Sequence, residues 1–170
     1  MSFDIELVTC NEPERTETVV DPFSGGALTK LGGCVTNDQR QAIEQLLDSV
    51  RAVSVGEGDT FAIDLVDGGS VEIWLSGFHD DDISGGMAMF HQMSSELSSL
   101  VYSLATSGKL AMIPRVNGGD VIVTSRELAQ DVAIRWPNSL VAESPEELHD
   151  MLAASAAKPK TNKKPWWKFW

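Results

Sequence analysis

The residues of this chain best suited to chemistry stand together at His79-Asp80-Asp81-Asp82, with His91 a little downstream. Imidazole nitrogens and carboxylate oxygens are the donors that divalent cations take, so His79, Asp80, Asp82 and His91 form a candidate metal site. A calcium loop needs spaced oxygen ligands and a late glutamate, and a zinc site two histidines held on one regular element. Neither pattern is complete, and a solvated acidic loop is the simpler account. Cys34, between Gly33 and Val35 just before a helix start, has a setting that can lower a thiol pKa, although a buried structural cysteine fits it more readily. His149 stands among Glu146, Glu147 and Asp150 and reads as a surface residue.

Motifs with a known mechanism are missing. There is no Gly-x-Ser-x-Gly elbow, no Cys-x-x-Cys, no His-Glu-x-x-His and no Rossmann glycine pattern. The glycine-rich stretch near residue 25 lacks the Gly-Lys-Ser/Thr ending of a phosphate-binding loop. With three histidines in the chain, acid–base chemistry has few candidates. The sequence points away from an enzyme and implies no cofactor.

Charge is more informative. The net charge is −12, and residues 158–170, KPKTNKKPWWKFW, hold five of the 13 basic residues and no acid. Eight basic residues therefore face 25 acidic ones in the body, a net charge of −17. Such a body repels nucleic acid and anionic lipid and attracts basic partners. The tail also holds four of the twelve aromatic residues, and its Lys163, Lys164, Trp166, Trp167, Phe169 and Trp170 are candidate binding residues. Three roles compete for it: folding back on the acidic body, serving as a peptide ligand with tryptophan anchors, or resting on a membrane surface.

At 170 residues the chain is expected to form one domain, residues 1–157, followed by the basic tail. No run approaches the roughly 18 apolar residues of a membrane span. The start, MSFDIELVTC, shows no secretory signal, and two cysteines are too few for a disulfide framework, so a cytoplasmic setting is expected.

The elements that must position these groups centre on residues 59–78, DTFAIDLVDGGSVEIWLSGF. Phe61, Ile63 and Leu65 alternate with polar residues, as do Val71, Ile73 and Leu75, the period of two that marks a half-buried strand. A three-residue Asp67-Gly68-Gly69 loop puts all six on one face by pairing Leu65 with Val71, with Gly69 in the left-handed conformation. The outer face then carries Asp64 opposite Glu72 and Ala62 opposite Trp74. With Asp81 from the neighbouring loop, Asp64, Glu72 and Trp74 are candidate partner-binding residues.

Along the rest of the chain, residues 3–8 read as a strand, and Val19-Val20 can pair with 27–31. Thr36 and Gln39 form a capping box for a helix through Ile43, Leu46, Leu47 and Val50. A second helix is expected from about Met87 to Ser107, buried through Phe90, Met93, Leu97, Leu100, Val101 and Leu104. Its serine-lined side would allow close approach by another backbone, in this chain or in a second copy. Leu110 to Val116 and Val121 to Ser125 make a second hairpin, in which Pro114 marks an edge or a break. Thr124 and Glu127 cap a short helix through Leu128, Val132 and Ile134, and 139–142 add a brief strand. Ser144-Pro145-Glu146-Glu147 opens a last helix docked by Leu148, Met151 and Leu152.

The order predicts an α+β fold: a mostly antiparallel sheet built from two hairpins, about 59–76 and 110–125, with helices packed on one face. In size, acidity and α+β build the chain resembles bacterial toxin-neutralising (immunity) proteins. In its alternation of helices and hairpins it also resembles the small acidic secretion chaperones, which act as dimers. Those resemblances imply a non-enzymatic, acidic, protein-binding module that neutralises or escorts a basic partner. A metal-binding protein using the His79–Asp82 loop and a membrane adaptor held by its tail are the alternatives.

Overall fold

A computed structural model describes residues 3–12, 18–20, 27–29, 33–55, 58–80, 82–115 and 120–157. The fold is α+β. Eight strands form one sheet: β1 (Phe3–Thr9), β4 (Val53–Ser54), β5 (Thr60–Asp64), β6 (Ser70–Ser76), β7 (Gly85–Phe90), β8 (Leu110–Pro114), β9 (Ile122–Val123) and β10 (Leu140–Val141). Their order is β10-β9-β8-β1-β7-β6-β5-β4, antiparallel throughout except between β9 and β10. The expected pairing near Val19 is present as a separate two-stranded ribbon of β2 (Thr18–Val20) and β3 (Ala27–Thr29). Four helices complete the described fold: α1 (Asn37–Ser49), α2 (Ser95–Gly108), α3 (Arg126–Asp131) and α4 (Pro145–Ala157).

Alternation along the strands sends one row of side chains into the core. Ile5 and Leu7 of β1, Ile73 and Leu75 of β6, and Ala88 and Phe90 of β7 lie beneath Ile43 and Leu47 of α1, Leu97 and Leu104 of α2, and Leu148 and Leu152 of α4. α2 packs against both α1 and α4. On β8, Leu110 and Met112 join this core, while Ala111 faces a smaller cluster with Val123, Leu128 and Val132. Successive strand residues point to opposite faces. α3 therefore sits across the sheet from the three longer helices and covers the β8–β9 end of the other face.

Helix starts follow local chemistry. The Thr36–Gln39 capping box is formed in both directions. Ser144 Oγ accepts the Glu147 N–H at 3.2 Å at the start of α4. At α3 the cap is Ser125, whose side chain accepts the Leu128 N–H at 3.1 Å, rather than the neighbouring Thr124. Ile134, expected on the buried side of that helix, lies beyond its end and is fully exposed.

Two expectations about strands are corrected as well. Residues 87–90 are not the start of a helix, because β7 runs through them as an interior strand between β1 and β6. Met and Ala favour helix, but here two long partners supply pairing on both sides, and tertiary pairing overrides propensity. Gly85 and Gly86 mark the reason: a Cβ on Gly85 would meet the Leu7 carbonyl oxygen, and one on Gly86 the Trp74 carbonyl oxygen. α2 begins only at Ser95, after Ser94 caps the Leu97 N–H at 3.1 Å.

The second correction is the register of the β5–β6 hairpin. Ile63 pairs with Val71 and Phe61 with Ile73, so Asp64 faces Ser70, Ala62 faces Glu72 and Thr60 faces Trp74. The loop does have three residues, yet they are Val66-Asp67-Gly68. Leu65 N–H donates to the Gly69 carbonyl at 2.8 Å and the Gly68 N–H donates to the Leu65 carbonyl at 3.0 Å. Gly68, with φ 84°, takes the left-handed position expected at Gly69. Shifting the loop by one residue moves each partner by two, so the buried row keeps its face. The second hairpin pairs Met112 with Ile122, and its turn at 116–119 is outside the described residues. Pro114 ends β8, which lies inside the sheet rather than at its edge.

Candidate functional site

Among the described residues, the sheet face away from α1, α2 and α4 is left open over β1, β7, β6, β5 and β4, since α3 covers the β8–β9 end. Cross-strand pairing arranges this face in two rows. One runs Val53, Ala62, Glu72, Met89, Asp4; the other runs Thr60, Trp74, Met87, Glu6, Ile113. Trp74 stands near the middle and is 42% exposed. Met87, Met89 and Ala62 are half-buried on the strands beside it, Ile113 is half-buried three strands away on β8, and Val53 is 65% exposed at the edge. The face thus interleaves these apolar residues with the acids Asp4, Glu6, Asp64 and Glu72. Arg115 Nη2 pairs with Glu6 Oε2 at 2.8 Å.

Three residues proposed from sequence, Asp64, Glu72 and Trp74, share this face. Asp64 and Glu72 are diagonal rather than opposite, a separation of roughly 7–8 Å that weakens their repulsion. Sequence reasoning missed Asp4, Glu6, Met87 and Met89. The first two were legible in FDIELV, where acids alternate with Ile5 and Leu7. The two methionines were hidden by the helical reading of their segment. Asp81, Lys163, Lys164, Trp166, Trp167, Phe169 and Trp170 lie outside the described residues.

The four metal candidates are not brought together. His79 and Asp80 follow the end of β6, and Asp82 lies just before β7, whereas His91 follows the far end of β7. Six strand residues separate these ends by about 20 Å. Among the described residues no group of three or more His, Cys, Asp or Glu could hold a metal ion. The loop has its own fastening. Asp59 Oδ2 accepts the Gly77 N–H and Oδ1 the His79 N–H, both at 3.0 Å. Phe78 packs edge-on against Phe61, and the Arg40 guanidinium lies 5.7 Å from the Phe78 ring centre.

His149 is half-buried, and its Nδ1 lies 3.1 Å from the hydroxyl of buried Ser98. The expected surface histidine is thus a contact between α2 and α4. Ser98 is the one fully buried serine of α2, and the His149 side chain of the α4 that packs there lies against it. Burial raises the Cys10 thiol to about 11, against the partial lowering by Arg135. A nucleophilic cysteine needs the opposite shift. Cys34 is half-buried, and its carbonyl accepts the Asn11 side-chain amide at 2.9 Å.

A groove of about 790 Å³ opens between α1, α2 and the β4–β5 edge, lined among others by Leu46, Val50, Arg51, Leu65, Glu96 and Ser99. No histidine or cysteine lines it. Among the described residues no helix is long and apolar enough to cross a membrane. No protein-family model matches the chain, and neither a curated protein nor a solved structure matches it.

Proposed function

We propose that this chain is a non-catalytic protein-binding module that takes a basic, aromatic-bearing segment of a partner protein across the open face of its sheet. The supporting observation is Trp74. A tryptophan at the centre of a sheet face that the described residues leave uncovered, beside Met87 and Met89 and among four carboxylates, offers an anchor with charged neighbours. Methionine adapts to more than one partner shape, and the acidic neighbours steer cationic ligands toward the anchor. The role is that of an inhibitor or escort of a basic protein, as the resemblance to immunity proteins and secretion chaperones implies. Two thiols, too few for a disulfide framework, suit a cytoplasmic setting.

The test is binding of a synthetic oligolysine peptide carrying one tryptophan. Affinity should fall roughly tenfold in Trp74→Ala and in Glu72→Lys, and should fall again between about 50 mM and 500 mM salt. Equal affinity for wild type and both variants would overturn this reading.

A further inference from the structure

The structure assigns the open sheet face an occupant within the same chain, and we propose that this occupant is the basic, tryptophan-rich segment 158–170. The proposal rests on the reading of that face as a binding surface. Three observations converge on it.

Position is the first. Leu152, Ser155 and Ala156 of α4 line a small hollow together with Phe3, Asp4, Ile5 and Pro114. The helix therefore delivers the chain to the end of β1, where Asp4 begins a row of the open face. Reach is the second. By strand spacing, the path from there round the sheet end to Trp74 is roughly 20 Å. Residues 158–165, fully extended, span up to about 26 Å, which brings Trp166 and Trp167 to Trp74 and Met87.

Charge is the third. The segment holds five lysines and no acid. The face presents Asp4, Glu6, Asp64 and Glu72 against Arg115, a complementary surplus of negative charge. Its aromatic end then meets Trp74 and Met87, and its lysines meet the acids that the chain crosses first. A short tether gives such a segment an effective concentration on the order of millimolar, enough to compete with an outside ligand of modest affinity.

The experiment uses the full chain and a full-length variant with Lys163→Glu, Lys164→Glu, Trp166→Ala and Trp167→Ala. Each is titrated with the oligolysine–tryptophan peptide, and wild type is separately coupled with a zero-length carbodiimide reagent at low protein concentration. The variant should bind the peptide about tenfold more tightly or better, because its own segment no longer competes. In the monomer fraction of wild type, tail lysines should couple to Asp4, Glu6, Asp64 or Glu72, and the coupling should fade at high salt. Equal peptide affinity in the two proteins overturns the tail as occupant while leaving the face as a binding surface. Coupling found only between two copies, or only to carboxylates outside the face, also overturns it. Failure of both proteins to bind the peptide removes the face reading itself, and the tail as its occupant falls with it.

Discussion

The carboxylate of Asp59 is clamped to the backbone of His79: its Oδ1 accepts the His79 N–H at 3.0 Å, and the imidazole Nε2 stands 3.8 Å from the same oxygen. Its other oxygen accepts the Gly77 N–H at 3.0 Å. The acid–histidine stretch is therefore a turn fastened by a carboxylate from the preceding strand entry. Gly77 has φ 79°, and a Cβ there would meet the Asp82 carbonyl, so the turn closes tightly on itself.

Removing the fastening acid should matter more than removing the histidine. Asp59→Ala leaves two backbone donors without their charged acceptor and should cost about 2 kcal/mol in chemical denaturation. His79→Ala, at an exposed side chain, should stay within about 0.5 kcal/mol. Equal losses would show that the imidazole, rather than the main chain, is what Asp59 holds.

The glycine pair in β7 supplies a second prediction. Gly86→Ala pushes a methyl group into the Trp74 carbonyl, rigid backbone in the neighbouring strand. The sheet must part there, and a loss of about 3 kcal/mol or more is expected. Gly58→Ala is the control: nothing lies within 4 Å of its added Cβ. Its effect should be neutral or a gain of up to about 1 kcal/mol through the unfolded chain. A mild Gly86→Ala phenotype would contradict the interior strand.

What could be read from the sequence was whatever short-range chemistry decides. The Thr36–Gln39 box and the Ser144-Pro145 start depend on neighbours within one turn, and both form as expected. The face of each hairpin strand followed from period two. Register was decided by residues far away. Of the two adjacent glycines, Gly68 takes the left-handed position, with Asp67 Oδ1 accepting the Gly69 N–H and Glu96 Oε2 accepting the Asp67 N–H, each at 3.0 Å. Glu96 lies 29 residues on, in the first turn of α2. The Ser94 hydroxyl and then the Gly69 N–H hold the Asp67 carboxyl below the ordinary carboxylate range. β7 was hidden for the same reason, since β1, one of its two partners, lies at the far N-terminal end of the chain. The open face could not be assembled from sequence until β7 was seen to lie between β1 and β6.

Adjacent residues on β6 should behave oppositely. Ile73 is fully buried against the helices, and Trp74 beside it looks outward. Ile73→Ala should cost about 2–5 kcal/mol through lost burial and the cavity left behind. Trp74→Ala should cost about 1 kcal/mol or less and instead weaken peptide binding. If Trp74→Ala unfolds the protein while Ile73→Ala does not, the assignment of faces is inverted.

Cys10 gives a prediction in pH. Its thiol lies beside Ala111 and Trp136, in the cluster under α3, and burial raises its pKa from 9.0 to about 11. In the unfolded chain the thiol loses its proton near 9.0, while the folded protein holds it to about 11. Between these values the unfolded state binds fewer protons, so stability must fall as pH rises through that window. Below the window both states keep the proton and the contribution is fully present. Cys10→Ala should flatten this part of the stability curve, measured by denaturant midpoints from about pH 8 to 11. At neutral pH the wild-type thiol should react with a maleimide far more slowly than an unfolded cysteine, because both access and thiolate fraction are low. Removing the nearby cation in Arg135→Ala should push the thiol higher still and slow the reaction further, unless the substitution opens the cluster to solvent. Hydrogen exchange across α3 separates those cases: unchanged protection with slower labelling supports the charge effect, and lost protection with faster labelling shows that Arg135, which donates to the Thr9 carbonyl at 3.1 Å, chiefly holds α3 in place.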